Sequence, residues 1–185
     1  KFSHGMFQSV YDYPYLSSSA NHIFDIAYGH HVNSTNATGN TTHAFYKKRR
    51  NIYNQMAQIL AGHDKDGNIQ KFDADGDIIS TGTDKYESVI FFNFARLLNK
   101  GTDTKDNEGT TLVEARAMHT QKLTIKDTGA ATDYRVNSPA GEYGILKTTA
   151  DSTASSFAAK SCGLIYYQAG IVVLTTDTFV KYAAS

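Results

Sequence analysis

Apolar residues fall at helical spacing most clearly over residues 44–61, where Phe45, Ile52, Met56 and Ile59 recur and Tyr53 and Leu60 widen the stripe. The spacing predicts a helix over this stretch. Thr41 or Thr42 offers a cap at its start, and Gly62 offers the left-handed residue that ends it. Asp-Gly pairs follow at 66–67 and 75–76. Such pairs tolerate positive φ at both centres of a two-residue turn, so the second predicts a hairpin over 69–80 with Phe72 opposite Ile79. A second helix is expected at 20–28, where Ile23, Phe24, Ile26 and Ala27 are apolar and Gly29 stands at the end. A third is expected from Thr83 or Asp84 to Gly101, with Tyr86, Ile90, Phe94, Leu97 and Leu98 at helical spacing. Within it, ESVIFFNF (87–94) also suits a buried strand, because short apolar runs fit both periods.

Beyond residue 120 the pattern becomes β-like. Leu123 and Ile125 alternate with polar neighbours, and a strand restarts after Pro139, Ala140 and Gly141. Residues 163–176 give two strands broken at Ala169 and Gly170, and a short terminal helix capped by Asp177 is expected. The expected fold class is therefore α+β, with two or three helices packed on antiparallel strands and hairpins. The expected organisation is a single domain over 1–185 with an aromatic N-terminal arm, 1–16.

Composition narrows the function classes. At 185 residues the chain can bury a sizeable core without staples. Eighteen Lys and Arg balance eighteen Asp and Glu, unlike a nucleic-acid binder, so no nucleic-acid partner is expected. No apolar run approaches the ~20 residues that span a bilayer, so no membrane partner is expected either. Twelve Tyr and ten Phe suit sheets and packed interfaces. The single cysteine, Cys162, rules out an internal disulfide framework. The chain begins at Lys1 with no initiator Met, which predicts a fragment or a processed product.

Candidate chemistry is sparse. Asp64, Asp66, Asn68, Asp73, Asp75 and Asp77 place oxygen ligands at alternate positions, as in a calcium loop. Counted from Asp64 or Asp73, however, the sixth position is Ile69 or Ile78 and the twelfth is Asp75 or Asp84. The loop's glycine and bidentate Glu are both missing. Turn chemistry explains these residues. His22, His30, His31 and His43 flank a polar loop with Asp25 nearby, without the fixed-spacing pair that zinc or iron sites carry. The sequons at Asn33, Asn36 and Asn40 follow from an Asn, Ser and Thr-rich composition. Lys47, Lys48, Arg49 and Arg50 lie near the start of the 44–61 helix, where they read as a solvated face or as a grip on an acidic partner. Neither a nucleophile elbow nor a phosphate loop occurs. No catalytic, cofactor-binding or metal-binding residue is expected, and no cofactor.

The stretches YDYPYLSSSANHIFDIAYG, RRNIYNQMAQILAGHD, VIFFNFARLLNKG, TIKDTGAATDYRV and GLIYYQAGIVVLTTDTF together resemble virion structural proteins of contractile-tailed bacteriophages, especially those of marine bacteria and cyanobacteria. The resemblance implies a non-enzymatic tail or baseplate subunit, located in the virion, an extracellular particle assembled in the host cytoplasm. It implies other virion subunits as partners, including copies of the chain itself, and a piece of a longer virion protein. Residues 11–16 and the 163–175 strands are the expected contact surfaces. The alternative is a receptor- or carbohydrate-binding module of a tail appendage, with a host-surface glycan as partner. A third reading, a tail-associated hydrolase, needs two carboxylates within about 5–10 Å of each other across a cleft.

Overall fold

A computed structural model of the chain describes residues 7–12, 20–35, 43–76, 84–98, 113–116, 122–148 and 160–183. Ten strands and two helices follow one another in sequence. They are β1 (Gln8–Tyr11), β2 (His22–His30), α1 (Ala44–Leu60), β3 (Phe72–Asp73), β4 (Lys85–Tyr86), β5 (Ser88–Asn93), β6 (Val113–Arg116), β7 (Lys122–Lys126), β8 (Tyr143–Thr148), β9 (Ser161–Tyr166), β10 (Ile171–Thr175) and α2 (Thr176–Ala183). Eight strands form one sheet in the order β1-β2-β5-β10-β9-β8-β7-β6, and every adjacent pair is antiparallel. β3 and β4 form a separate two-stranded ribbon.

This architecture overturns the α+β expectation. The domain is mostly β, because two of the expected helices are strands. Residues 20–28 fall largely in β2, where Asp25, Ala27 and Gly29 are buried and Phe24, Ile26 and Tyr28 are half-buried. That is period two; Ile23, Phe24, Ile26 and Ala27 meet helical spacing only because both faces of the strand carry apolar residues. Gly29 is no helix stop. A Cβ there would lie 3.0 Å from the Tyr53 backbone nitrogen, so the glycine lets α1 lie directly on the sheet. The third expected helix is split between β4 and β5, and β5 sits between β2 and β10 with its partners on both sides. A strand inside a sheet with both faces covered reads as a continuous apolar run, which is what VIFF provides.

α1 forms as its sequence predicts, except in its cap and in the phase of its buried face. The cap is His43, whose Nδ1 accepts from the Phe45 amide at 3.2 Å, while Thr41 and Thr42 lie outside the described residues. Gly62 ends the helix with φ of 85°, and its amide and that of Ala61 both donate to the Ala57 carbonyl. The buried face consists of Ile52, Tyr53, Ala57 and Leu60; Phe45 and Ile59 are 50% and 59% exposed. The stripe facing the sheet is thus turned about one residue from the one expected.

The sheet separates two apolar clusters. On one face α1 packs with Ala27, Val89, Phe91, Val173, Leu164 and Tyr166, and the ribbon adds Phe72 and Tyr86. On the other, Leu146, Cys162, Ile165, Val172 and Leu174 meet Phe94, Leu98 and Phe179 of α2. Each fully buried side chain of this size contributes about 1.5–3 kcal/mol relative to exposure.

Two smaller expectations also change. Asp75-Gly76 does not close a two-residue hairpin: Phe72 pairs with Tyr86 and Asp73 with Lys85, and Ile79 lies outside the described residues. The 163–175 strands, expected at an interface, are β9 and β10, each flanked by strands on both sides within the domain's own sheet. The described part of the N-terminal arm belongs to that sheet as well. Tyr11 pairs with His22 and sets its ring edge-on to it, whereas 13–16 lie outside the described residues. The break at 169–170 is where the sequence puts it and a terminal helix forms, but α2 begins at Thr176, so Asp177 lies in its first turn and is not its cap.

Candidate functional site

The acidic turns are structural where they are described. Asp64 Oδ1 accepts from the amides of Asp66 and Asn68 at 2.9 and 2.8 Å, and its Oδ2 accepts from the Asn68 side chain. These bonds, the Asn68 amide foremost, hold the Asp64 carboxyl below its ordinary range. They account for Asp64 and Asn68 as turn-forming residues. Asp73 is engaged differently, through an ion pair with Lys85 and a bond from the Asp75 amide. Burial, together with the Asp75 side chain, keeps its carboxyl above the ordinary range against the pull of Lys85. The cavity beside it, between Asp73, Ser138 and Tyr143, is about 10 Å³, room for one water at most. Asp77 lies outside the described residues. Among the described residues no three His, Cys, Asp or Glu side chains are grouped to hold a metal ion.

The structure does gather a serine, an aspartate and a histidine. Ser9 Oγ donates to Asp25 Oδ1 at 2.7 Å, and His22 Nε2 lies 2.9 Å from the same oxygen. Nucleophilic catalysis needs the imidazole between hydroxyl and carboxylate, so that it takes the hydroxyl proton. Here the carboxylate is in the middle. Burial raises the Asp25 carboxyl, but the bonds from Ser9 and His22 outweigh it and leave it below 3.8. The cluster pins β1 to β2 as an anion acceptor.

Cys162 is buried and donates to the Leu146 carbonyl at 3.4 Å; burial pushes its thiol up to about 12. It stays a thiol at neutral pH and is no nucleophile. His31 Nδ1 accepts from the Asn33 amide, and its ring lies edge-on to Tyr53. His30 is 1% exposed, and its Nε2 has no partner among the described residues. It lies between the rings of Tyr28 and Tyr46, both 6.0 Å away.

The four basic residues of α1 divide in two. Lys47 and Lys48 are exposed, as a solvated face requires, but Arg49 and Arg50 are half-buried. Arg49 turns towards β2. Its Nη1 donates to the Tyr28 carbonyl at 3.2 Å, and its guanidinium lies 5.6 Å from the Tyr28 ring and 4.9 Å from that of Phe45. The pairing of β1 with β2 ends at Gln8 and Ile26, so the arginine serves a carbonyl on an edge that β1 does not reach. Around it opens a cavity of about 220 Å³ lined by Phe7, Gln8, Ile26, Ala27, Tyr28, Arg49 and Ile90. This concavity, formed wholly by described residues, has room for a small ligand. It draws on β2, β5, α1 and the start of β1, and only the basic run in α1 hinted at it in the sequence.

Among the described residues no helix is long and apolar enough to cross a membrane. Compared with protein-family models, with curated proteins and with solved structures, the chain matches none.

Proposed function

We propose that the chain is a non-enzymatic structural subunit of a contractile-tailed phage virion, in its tail or baseplate, working through contacts with other subunits and with copies of itself. The observation that carries this reading is the sheet order. β1 and β6 are its outer strands, each with one backbone edge that has no strand partner among the described residues. Such edges are templates for another chain and are usually covered or paired in an assembly. The segments that resemble tail and baseplate proteins include the ones that build the sheet centre, β5 and β10. Exposed apolar side chains in separate loops, Leu97 at 74% and Val136 at 72%, add contact surface.

The alternative, a carbohydrate-binding module, asks for aromatic rings gathered with Asp and Asn in one concavity. The 220 Å³ cavity has aromatics but no Asp or Asn in its lining. The experiment is a map of the intact particle, with mass spectrometry of purified virions. The expected result is the chain at fixed stoichiometry in the tail or baseplate. Its absence from purified particles overturns the reading, as does hydrolysis of host envelope glycan by the isolated chain.

A further inference from the structure

We infer that the cavity at Arg49 is a binding site for a carboxylate carried on a small apolar body. Arg49 makes no ion pair among the described residues. Of the five N–H donors of a guanidinium, one is used, on the Tyr28 carbonyl. A half-buried guanidinium of this kind is commonly matched by a carboxylate, which accepts two of its N–H groups in parallel. Its two flanking rings, Phe45 and Tyr28, fix the plane of the group before any ligand arrives. Of the remaining walls, Phe7, Ile26, Ala27 and Ile90 are apolar and Gln8 adds one polar side chain.

Size selects the ligand class. At ~30 Å³ for each water-sized group, 220 Å³ holds about seven. That is below the ~300–1,000 Å³ of sites for drug-sized ligands, so nucleotides and oligosaccharides do not fit. A carboxylate with a body of four or five carbons does. The same chemistry is offered by a free short-chain acid and by the carboxyl end of a polypeptide whose last residue is apolar. The inference does not rest on the virion reading, since such a site needs no assembly.

The test is a titration of the isotope-labelled full chain, followed by amide and methyl NMR shifts. Hexanoate represents the free acid, N-acetyl-leucine the end of a chain (its acetyl group standing for the preceding residue, outside the cavity), hexanamide the uncharged body, and sulfate an anion without a body. The expected result is saturable binding of at least one of the two carboxylates, with shifts centred on Ile26, Tyr28 and Ile90. Hexanamide and sulfate should bind at least tenfold more weakly. Whichever carboxylate binds more tightly identifies the source. Arg49→Gln should weaken binding at least tenfold. Ile90→Phe, which fills the cavity and leaves Arg49 in place, should do the same, and it keeps the test open if Arg49→Gln does not fold. Equal binding of hexanamide or sulfate overturns the inference, as does an absence of saturation by either carboxylate.

Discussion

The Tyr53 hydroxyl of α1 donates to the Tyr86 carbonyl of β4 at 2.6 Å and accepts from the Phe72 amide of β3 at 3.3 Å. One side-chain oxygen thus holds both strands of the ribbon to the helix. Burial raises the Tyr53 phenol well above its ordinary value, so it keeps its proton and goes on donating at every working pH. Tyr53→Phe keeps the packing and leaves a carbonyl and an amide without their partner. A loss of about 2 kcal/mol is expected, read as a lower denaturant midpoint with an unchanged slope. A midpoint equal to wild type would show that the ribbon is held by packing alone.

Gly144 and Asp127 make a second such pairing. The buried Asp127 carboxylate accepts from Tyr167 Oη at 2.6 Å and occupies the space where a Cβ on residue 144 would lie. Gly144→Ala must displace a buried charge or bend β8. The expected cost is about 3 kcal/mol, large for one methyl group, measured by thermal or denaturant unfolding.

Acid should weaken the fold in two steps. Burial holds both His30 and His31 below 6.5; Arg50 and Arg49 beside His30, and Lys71 beside His31, push the same way. The unfolded chain then takes up protons below pH 6.5 that the folded chain refuses, so stability is full above 6.5 and falls as pH drops beneath it. Asp25 and Asp64 have folded values below 3.8, so their contribution is lost only at lower pH. Denaturant midpoints between pH 7.5 and 5 should decline, and His30→Leu should flatten that decline by up to about 1.4 kcal/mol per pH unit. A flat wild-type profile would contradict the burial of both rings.

Lys85 and Asp73 are each about 5% exposed as side chains and form an ion pair where β3 meets β4. Lys85→Met leaves a buried carboxylate without its counter-charge and should cost about 3 kcal/mol. The double variant Asp73→Asn with Lys85→Met should recover a large part of that loss. Additive losses in the double-mutant cycle would show that the two side chains do not interact.

The sequence carried α1 and its Gly62 stop, the turn at 169–170 and the C-terminal helix, because each has a local cause. β2 reads as a helix, and β5 reads equally as helix or buried strand, for a reason that is not local. A strand covered on both faces loses its alternation, and Phe91 and Phe92 look alike in sequence although they face opposite clusters. The register of Phe72 with Tyr86 skips the Asp-Gly signal, since the pairing is set by packing under Tyr53. The turn at Asp64 could be read, since Asp64, Asp66-Gly67 and Asn68 are turn-forming residues and the Asp64 carboxylate does accept from the Asp66 and Asn68 amides. The Arg49 cavity could not. Arg49 and Arg50 look like Lys47 and Lys48 until the helix phase is fixed by Tyr53 and Ala57.

β10 lies at the centre of the sheet, yet it comes near the end of the chain. During synthesis the β1-β2-β5 half and the β9-β8-β7-β6 half both precede the strand that joins them, so each emerges with a bare inner edge. The domain cannot close from its first residues onward, and closing it requires contacts between strands far apart in sequence, which slows folding. A product that stops before residue 171 is therefore two unjoined half-sheets with sticky edges rather than a smaller version of the protein.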